Sequence, residues 1–377
     1  MRNILRELAK RIKEFEPFKK RFVSFVRRAA IATKKFMIDF KEFFIAAGIL
    51  LLVGGVTGGI LFLIASSPKG EELIEEISQA TIVRDPLTGN PISTVLETPT
   101  RALGVMIENS SDAWPLSGLD KAFLVIEAPV EADIPRFLAF FADNASVSKI
   151  GPVRSARPYY VDWAMELDAI YAHSGGSQEA LDLIATSDVH DLNEFSQGEY
   201  FYRANSGRYA PHNLYTTSDS LNESVSELEP GVADYETWNF KQDGTPAENP
   251  ISLSVNFGSG SLYDVLWNYR QETNTYERYQ GGFPMKMQDG AGIFANNVIV
   301  MVMDVRTIDS IGRKHITTIG TGDAFLAQDG TRTLITWEKD SETSRTRFYN
   351  LNGSEIAFNA GVTWIEVVAN IDQVTAQ

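Results

Sequence analysis

The sequence predicts an α+β protein: one transmembrane helix near the N-terminus, then a mixed α/β ectodomain, then a mostly β C-terminal domain. Three observations carry this expectation. Residues 43–65 form an uncharged apolar run. Between residues 100 and 235, short strand-type runs alternate with helix-type runs. Beyond residue 250, strand-type segments follow one another, the later ones separated by turn signals.

Residues 1–42 read as a basic cytoplasmic segment. The first 41 residues hold 13 Lys+Arg against 4 Asp+Glu, and the remainder holds 21 against 45, for a net charge of −15. An acidic body is a poor match for phosphate-rich nucleic acid, so no nucleic-acid partner is expected. Leu5, Leu8, Ile12 and Phe15 fall roughly at helical spacing before Pro17, which suits an interfacial helix on anionic lipid. A merely basic topogenic tail reads equally well.

The run "FFIAAGILLLVGGVTGGILFLIA" (43–65) spans the roughly 30 Å hydrocarbon core at about 1.5 Å per residue. It is too long, and too far from the N-terminus, for a cleaved signal. The preceding cations place the N-terminus in the cytoplasm and residues 66–377 outside a single-pass cell membrane. Small-residue spacings at Gly54/Gly58 and Gly55/Gly59 allow a homodimer through this helix. Cysteine is absent, so no disulfide, cysteine-zinc site or lipidated cysteine is available.

Residues 66–99 are charged and turn-rich, and read as a stalk. In the α/β part (100–235), "RALGVMIEN", "KAFLVIEAPVE", "RFLAFFAD" and "AIYAH" are strand-like, while "PYYVDWAMELDA" and "SQEALDLIAT" are helical. The acid-rich "NESVSELEP" reads most simply as a solvated face. A Pro/Gly/acid stretch near 229–250 marks a junction. In the C-terminal part (250–372), "ISLSVNF", "LYDVLWNYR", "TYERYQ", "NNVIVMVMDV", "RTLITWEKD" and "VTWIEVV" are strand-type.

Three constellations carry candidate chemistry. In "GPVRSAR" (151–157), Arg154 and Arg157 bracket Ser155 at the mouth of a helix, with Ser155 a candidate N-cap and Pro158 tolerated in the first turn. Guanidinium forks beside unpaired helix amides suit a carboxylate or phosphate. The alternative is pairing with an internal acid such as Glu127, Glu131 or Asp162. In "HSGGS" (173–177), His173 ends a strand, Gly175 and Gly176 permit close backbone approach, and Ser177 can cap the next helix. In an open α/β sheet such loops form ligand clefts. In "GRYAPHNLY" (207–215), His212 and Asn213 follow a rigid proline turn, preceded by Arg203 and Arg208. His173 or His212 is a candidate proton shuttle, with Glu127 or Glu131 as partner carboxylate. None of His173, His190, His212 and His315 shows a metal-ligand spacing, so no metal site is assigned; no cofactor is identified.

Asn109, "PLSGLDKA" (115–122), Glu127, Glu131, Arg136 with Phe137, "GPVRSAR", "HSGGS" and "PHN" (211–213) resemble the YerB-like lipoprotein family, as do "NNVIV", "TWEK" and "GVTWIEVV" downstream. The resemblance spans most of 100–370. It implies a two-part extracytoplasmic α+β protein of the bacterial cell envelope, with no established reaction. This chain departs from the pattern twice. "EADIPR" (131–136) stands where members usually show Glu-Gly-Gly-x-Thr-Arg, leaving that loop's backbone free to differ. A membrane helix also replaces the lipidated cysteine. The order of elements is similar, in layout alone, to the LytR-CpsA-Psr cell-wall phosphotransferases.

The leading expectation is a membrane-anchored envelope protein that binds an anionic ligand, either a peptidoglycan carboxylate or a lipid-linked phosphate. Arg154 and Arg157 would clamp the anion, Arg136 and Arg203 would assist, and Gly175 and Gly176 would let the backbone close in. A phosphotransferase or hydrolase using the same pocket, and a non-catalytic interaction scaffold, are the alternatives.

Overall fold

A computed structural model of the chain describes residues 83–93, 99–205 and 207–376. The apolar run at 43–65, the basic segment before it and most of the 66–99 stretch lie outside those residues. Among the described residues, no helix is long and apolar enough to cross a membrane.

The first half builds from runs that are apolar on both faces. β1 (Ala102–Ile107), β2 (Leu124–Pro129) and β3 (Pro135–Ala142) are buried almost throughout. Continuous burial of this kind belongs to strands covered on both sides. Then come α1 (Pro158–Met165), β4 (Ile170–His173), α2 (Gln178–Thr186) and β5 (His190–Asn193). The short strands β6 (Tyr202–Arg203) and β7 (Leu214–Tyr215) pair around a loop, and α3 (Ser218–Leu228) closes this half.

The second half is strand after strand. It runs β8 (Asn239–Lys241), β9 (Leu253–Val255), β10 (Val265–Arg270), β11 (Thr275–Gln280), β12 (Phe283–Pro284), β13 (Phe294–Ala295) and β14 (Asn297–Val302). It continues through β15 (Val305–Thr307), β16 (Lys314–Ile316), β17 (Gly320–Gln328), β18 (Thr331–Lys339) and β19 (Arg347–Asn350). It ends with β20 (Ala357–Asn359), β21 (Thr363–Val368) and β22 (Val374–Ala376). β10 and β11 alternate buried and half-buried positions, as strands with one covered face do.

Strands from both halves share one ten-stranded sheet, ordered β19-β18-β17-β14-β21-β2-β3-β1-β4-β5. The seam is a parallel pairing of β2 with β21 that sets Glu127 beside Glu366. A second sheet, β12-β11-β10-β9-β22, packs on one face with α3, burying Trp267, Trp364 and Leu221. The other face is covered by α1 and by parts of the second half, burying Tyr160, Trp163, Trp238, Ile316 and Phe358.

Two buried ion networks also cross the seam. Arg278 Nη2 donates to both carboxylate oxygens of Glu127, at 2.8 Å each, and neither side chain is exposed. Glu166, just after α1, accepts from Lys339 Nζ at 3.1 Å, from Arg345, and from the Thr346 hydroxyl at 2.7 Å.

One expectation gains detail and one needs correcting. "NESVSELEP" does supply a solvated face, with Glu223, Glu227 and Glu229 exposed, and it lies largely within α3. Thr217 caps that helix by accepting from the Ser220 N–H at 3.0 Å, and Leu221 and Ser224 are buried. A single apolar stripe suffices for a helix packed on one face of a sheet, so its acidic outer face masks it in the sequence. The last part of the expected stalk is also packed: Leu87 is buried, and the Gly361 N–H donates to the Thr88 carbonyl at 2.7 Å.

Candidate functional site

The loops 154–157 and 174–177 meet through their backbones. The Ser174 N–H donates to the Arg154 carbonyl at 3.0 Å, the Ala156 N–H to Gly175 at 2.9 Å, and the Ser177 N–H to Ala156 at 3.3 Å. This parallel bridge keeps the chain extended through Ala156, so α1 begins two residues later than Ser155 capping would require. Arg157 is the N-cap residue, with no side-chain cap, and Pro158 follows it at the first helical position. Ser155 instead gives its carbonyl to Arg136 Nη1 at 2.8 Å. Ser177 does cap α2, accepting from the Ala180 N–H at 3.3 Å.

The glycines serve this junction. Gly175 has φ 59°, and a side chain there would run into Phe195. Its carbonyl accepts from the Ala156 N–H and from His173 Nδ1. A side chain at Gly176 would crowd Ala156. Loop-to-loop packing therefore accounts for both positions.

Arg136, Arg154 and Arg157 gather at this junction. Burial and the charges of Arg157 and Arg154 lower the Arg136 guanidinium to about 10, which marks three cations in close company. Two of them are satisfied from within. Arg157 donates to Glu131 through Nε, at 2.9 Å, and Nη2, and to the Ala156 carbonyl through Nη1. Arg136 holds Ser155 and lies 3.7 Å from Glu131. Burial alone would raise the Glu131 carboxyl, but Arg157 and Arg136 outweigh it and hold it below the usual range.

Arg154 differs. Its Nε lies 3.5 Å from Glu108 Oε1, and among the described residues its guanidinium makes no hydrogen bond to the protein. The Glu108 carboxylate is taken up by His212, whose Nδ1 lies 2.9 and 3.0 Å from its two oxygens. The side chains of Arg154 and His212 are 22% and 24% exposed, so both reach solvent while Glu108 lies beneath them.

The other candidates fall elsewhere. Glu127 points into the core between the sheets, held by Arg278 and Trp364, and meets neither histidine. Strand alternation explains this, because Glu127 on β2 and Arg136 on β3 face opposite cores. His173 is fully buried; Nε2 lies 2.6 Å from Asp191 Oδ1 and Nδ1 2.8 Å from the Gly175 carbonyl. Both ring nitrogens are thus occupied, so the geometry gives His173 a structural post. Arg203 pairs with Glu194 at 3.1 Å and donates to Asn213 at 3.2 Å, while Asn213 donates to the Arg208 carbonyl. Glu194 also accepts from the Ser174 hydroxyl at 2.9 Å, tying this loop to the junction.

The substituted loop 131–136 follows a glycine-type path without glycines. Ala132 and Asp133 adopt φ 56° and 59°, the left-handed backbone that favours glycine. Glu108 and Asp191 were not singled out from the sequence. Glu108 ends a strand-like run just before Asn109, but only tertiary contact pairs it with a residue 104 positions away.

Beside the junction, a cleft of about 380 Å³ runs between the starts of α1 and α2 and the β15–β16 hairpin. Arg157, Asp162, Ser177, Lys314, His315 and Ile316 help line it. Burial pushes the Asp162 carboxyl up to about 6, against a hydrogen bond from the Thr318 hydroxyl that acts to lower it. Among the described residues, no group of three His, Asp or Glu side chains is arranged to hold a metal ion.

Residues 87–231 match the N-terminal domain, and residues 253–365 the C-terminal domain, of a protein family of unknown function, DUF3048. YerB of Bacillus subtilis (strain 168), named as a candidate lipoprotein, is 27% identical over 326 residues, covering 83% of this chain and 93% of that protein. The crystal structure of the YerB protein from Bacillus subtilis superposes with a TM-score of 0.70 at 28% identity, covering 78% of this chain and 99% of that one.

Proposed function

The chain belongs to the DUF3048 family, and from that premise we propose that it is an envelope-associated protein that binds an anionic ligand at Arg154. Among the described residues, Arg154 is a partly exposed guanidinium without a hydrogen-bonded partner, set beside two further arginines; this observation carries the reading. Two carboxylates, Glu131 and Glu108, serve three guanidiniums and His212, which leaves donors to spare at the rim. A phosphate or carboxylate accepts well from a planar fork of this kind. Arg136 and Arg157 contribute field rather than contact, because their own donors are engaged. The ligand class is a peptidoglycan carboxylate or a lipid-linked phosphate. The run at 43–65 anchors the protein in the membrane with its N-terminus inside, in keeping with a relative named as a lipoprotein.

Titration of the purified full chain with inorganic phosphate, by calorimetry, tests this. Arg154→Ala should weaken binding by about 1.5–3 kcal/mol, the scale of hydrogen bonds to a charged group. That is roughly tenfold to hundredfold in Kd. Equal affinity in wild type and variant, or no binding of phosphate or acetate by the wild type, would sink the proposal.

A further inference from the structure

The company kept by Arg154 goes further than binding. His212 Nδ1 faces both oxygens of Glu108, and a carboxylate only accepts hydrogen bonds, so Nδ1 carries the hydrogen. In the neutral ring the lone pair then sits on Nε2. Among the described residues Nε2 makes no hydrogen bond; the exposed Asp112 has its Oδ2 4.0 Å away. The Glu108 side chain is only 4% exposed, and its own N–H is fixed to the Pro152 carbonyl at 3.0 Å, so the carboxylate is a rigid seat for the imidazole. The arrangement is a buried carboxylate, an imidazole whose Nε2 makes no hydrogen bond among the described residues, and a guanidinium ion-paired to the same carboxylate at 3.5 Å without a hydrogen bond to it. A general base oriented by a third group has this form.

We infer that this corner hydrolyses phosphodiesters, with His212 as the acid–base residue, Arg154 holding the anionic phosphate and Glu108 positioning the imidazole. The inference rests on the anion reading of Arg154. In the step, His212 Nε2 takes a proton from water and the water oxygen bonds to phosphorus. The bond from phosphorus to the leaving oxygen breaks, and His212 returns the proton to that oxygen. The products are a phosphomonoester and an alcohol, and no redox partner is required. Of the three guanidiniums at the junction, Arg154 is the one that makes no hydrogen bond among the described residues, and one such contact matches the single charge of a diester.

The probe is bis(p-nitrophenyl) phosphate, with p-nitrophenyl acetate as the neutral control and inorganic phosphate for binding, all on the full chain. The wild type should release nitrophenolate from the diester faster than buffer. His212→Ala and His212→Gln should each lose about a hundredfold or more in kcat while still binding phosphate. Glu108→Gln should lower kcat with KM little changed, and Arg154→Ala should chiefly raise KM, with Arg154→Lys recovering part of the loss. Thermal melts establish that each variant is folded, and the glutamine variant serves if His212→Ala is not. A wild type that binds phosphate but cleaves nothing overturns the hydrolytic inference and leaves the anion reading standing. A wild type that binds no phosphate removes both. Diester turnover that survives both His212 variants, or acetate cleavage as fast as diester cleavage and indifferent to Arg154, also overturns the inference.

Discussion

Replacing Arg278 by Met should destabilise the protein more than any other single change at the seam. Arg278 is fully buried, donates twice to Glu127 at 2.8 Å and once to Gln280 at 2.7 Å, and lies 5.2 Å from the Trp364 ring centre. The β2–β21 register places Glu366 directly beside Glu127, so two carboxyls and one guanidinium share a dry space. Burial, and then the neighbouring Glu127 charge, push the Glu366 carboxyl well above its usual range, which favours its protonated form. With Arg278 hydrogen-bonded to Glu127, Glu366 is the carboxyl that sheds its charge at least cost. Methionine fills most of the arginine volume but leaves the Glu127 charge buried without its partner, a loss of about 3–5 kcal/mol. Whole domains are stable by about 5–15 kcal/mol, so this is a large fraction. Glu366→Gln, by contrast, replaces a neutral acid with a neutral amide that can still accept from Trp267 Nε1, now at 2.7 Å, and should cost about 1 kcal/mol or less. Urea unfolding of the full chain in detergent, read by tryptophan fluorescence, measures both; Trp267 and Trp364 sit at the site with ring centres 5.1 Å apart. An Arg278→Met variant within about 1 kcal/mol of wild type refutes this charge assignment, as does a Glu366→Gln variant as damaged as Arg278→Met.

Two further outcomes are expected. Asp162 is raised from 3.8 in the open chain to about 6 in the fold, chiefly by burial, so the folded state holds its proton more tightly. Its contribution to stability is full below pH 4 and lost as pH climbs through 6, at most about 3 kcal/mol and about 1–2 after allowing for partial exposure. Asp162→Asn should thus be more stable than wild type at pH 7.5, with the gap closing at pH 4; a constant gap in unfolding midpoints refutes it. Ala132→Gly should relieve a left-handed residue worth about 1–2 kcal/mol, offset by about 0.4–1 of extra chain entropy. A net gain of about 0.5–1 kcal/mol, seen as a rise in Tm, is the result; a fall in Tm contradicts the strain.

Much of the scaffold could be read along the chain, and the reason is local. β1, β2 and β3 are covered on both faces, so "ALGVMI", "LVIEAP" and "RFLAFFA" carry an unbroken apolar signal that needs no knowledge of partners. The start of α1 was legible to within a few residues from Pro158, but its cap was not, because the bridge to Gly176 decides where the extended chain ends. The site was less legible still. Arg154, Arg157 and the HSGGS loop do come together, through backbone bonds. Which acid each cation meets is set by register: Glu127 was expected near the histidines, yet its partner is Arg278, 151 positions downstream. Sequence spacing carries no record of a pairing made across two sheets.

The parallel partnership of β2 and β21 has a consequence for how the protein comes into being. β21 follows β2 by more than 230 residues, so the edge of β2 stays open until all of the intervening chain has been made. An unfilled strand edge readily recruits the wrong neighbour. Closing this one requires ends far apart in the chain to find each other, a slow class of contact. A stop codon only a few residues before Thr363 would therefore orphan the arginine-rich junction more than 200 residues upstream, although every residue of that junction had been translated.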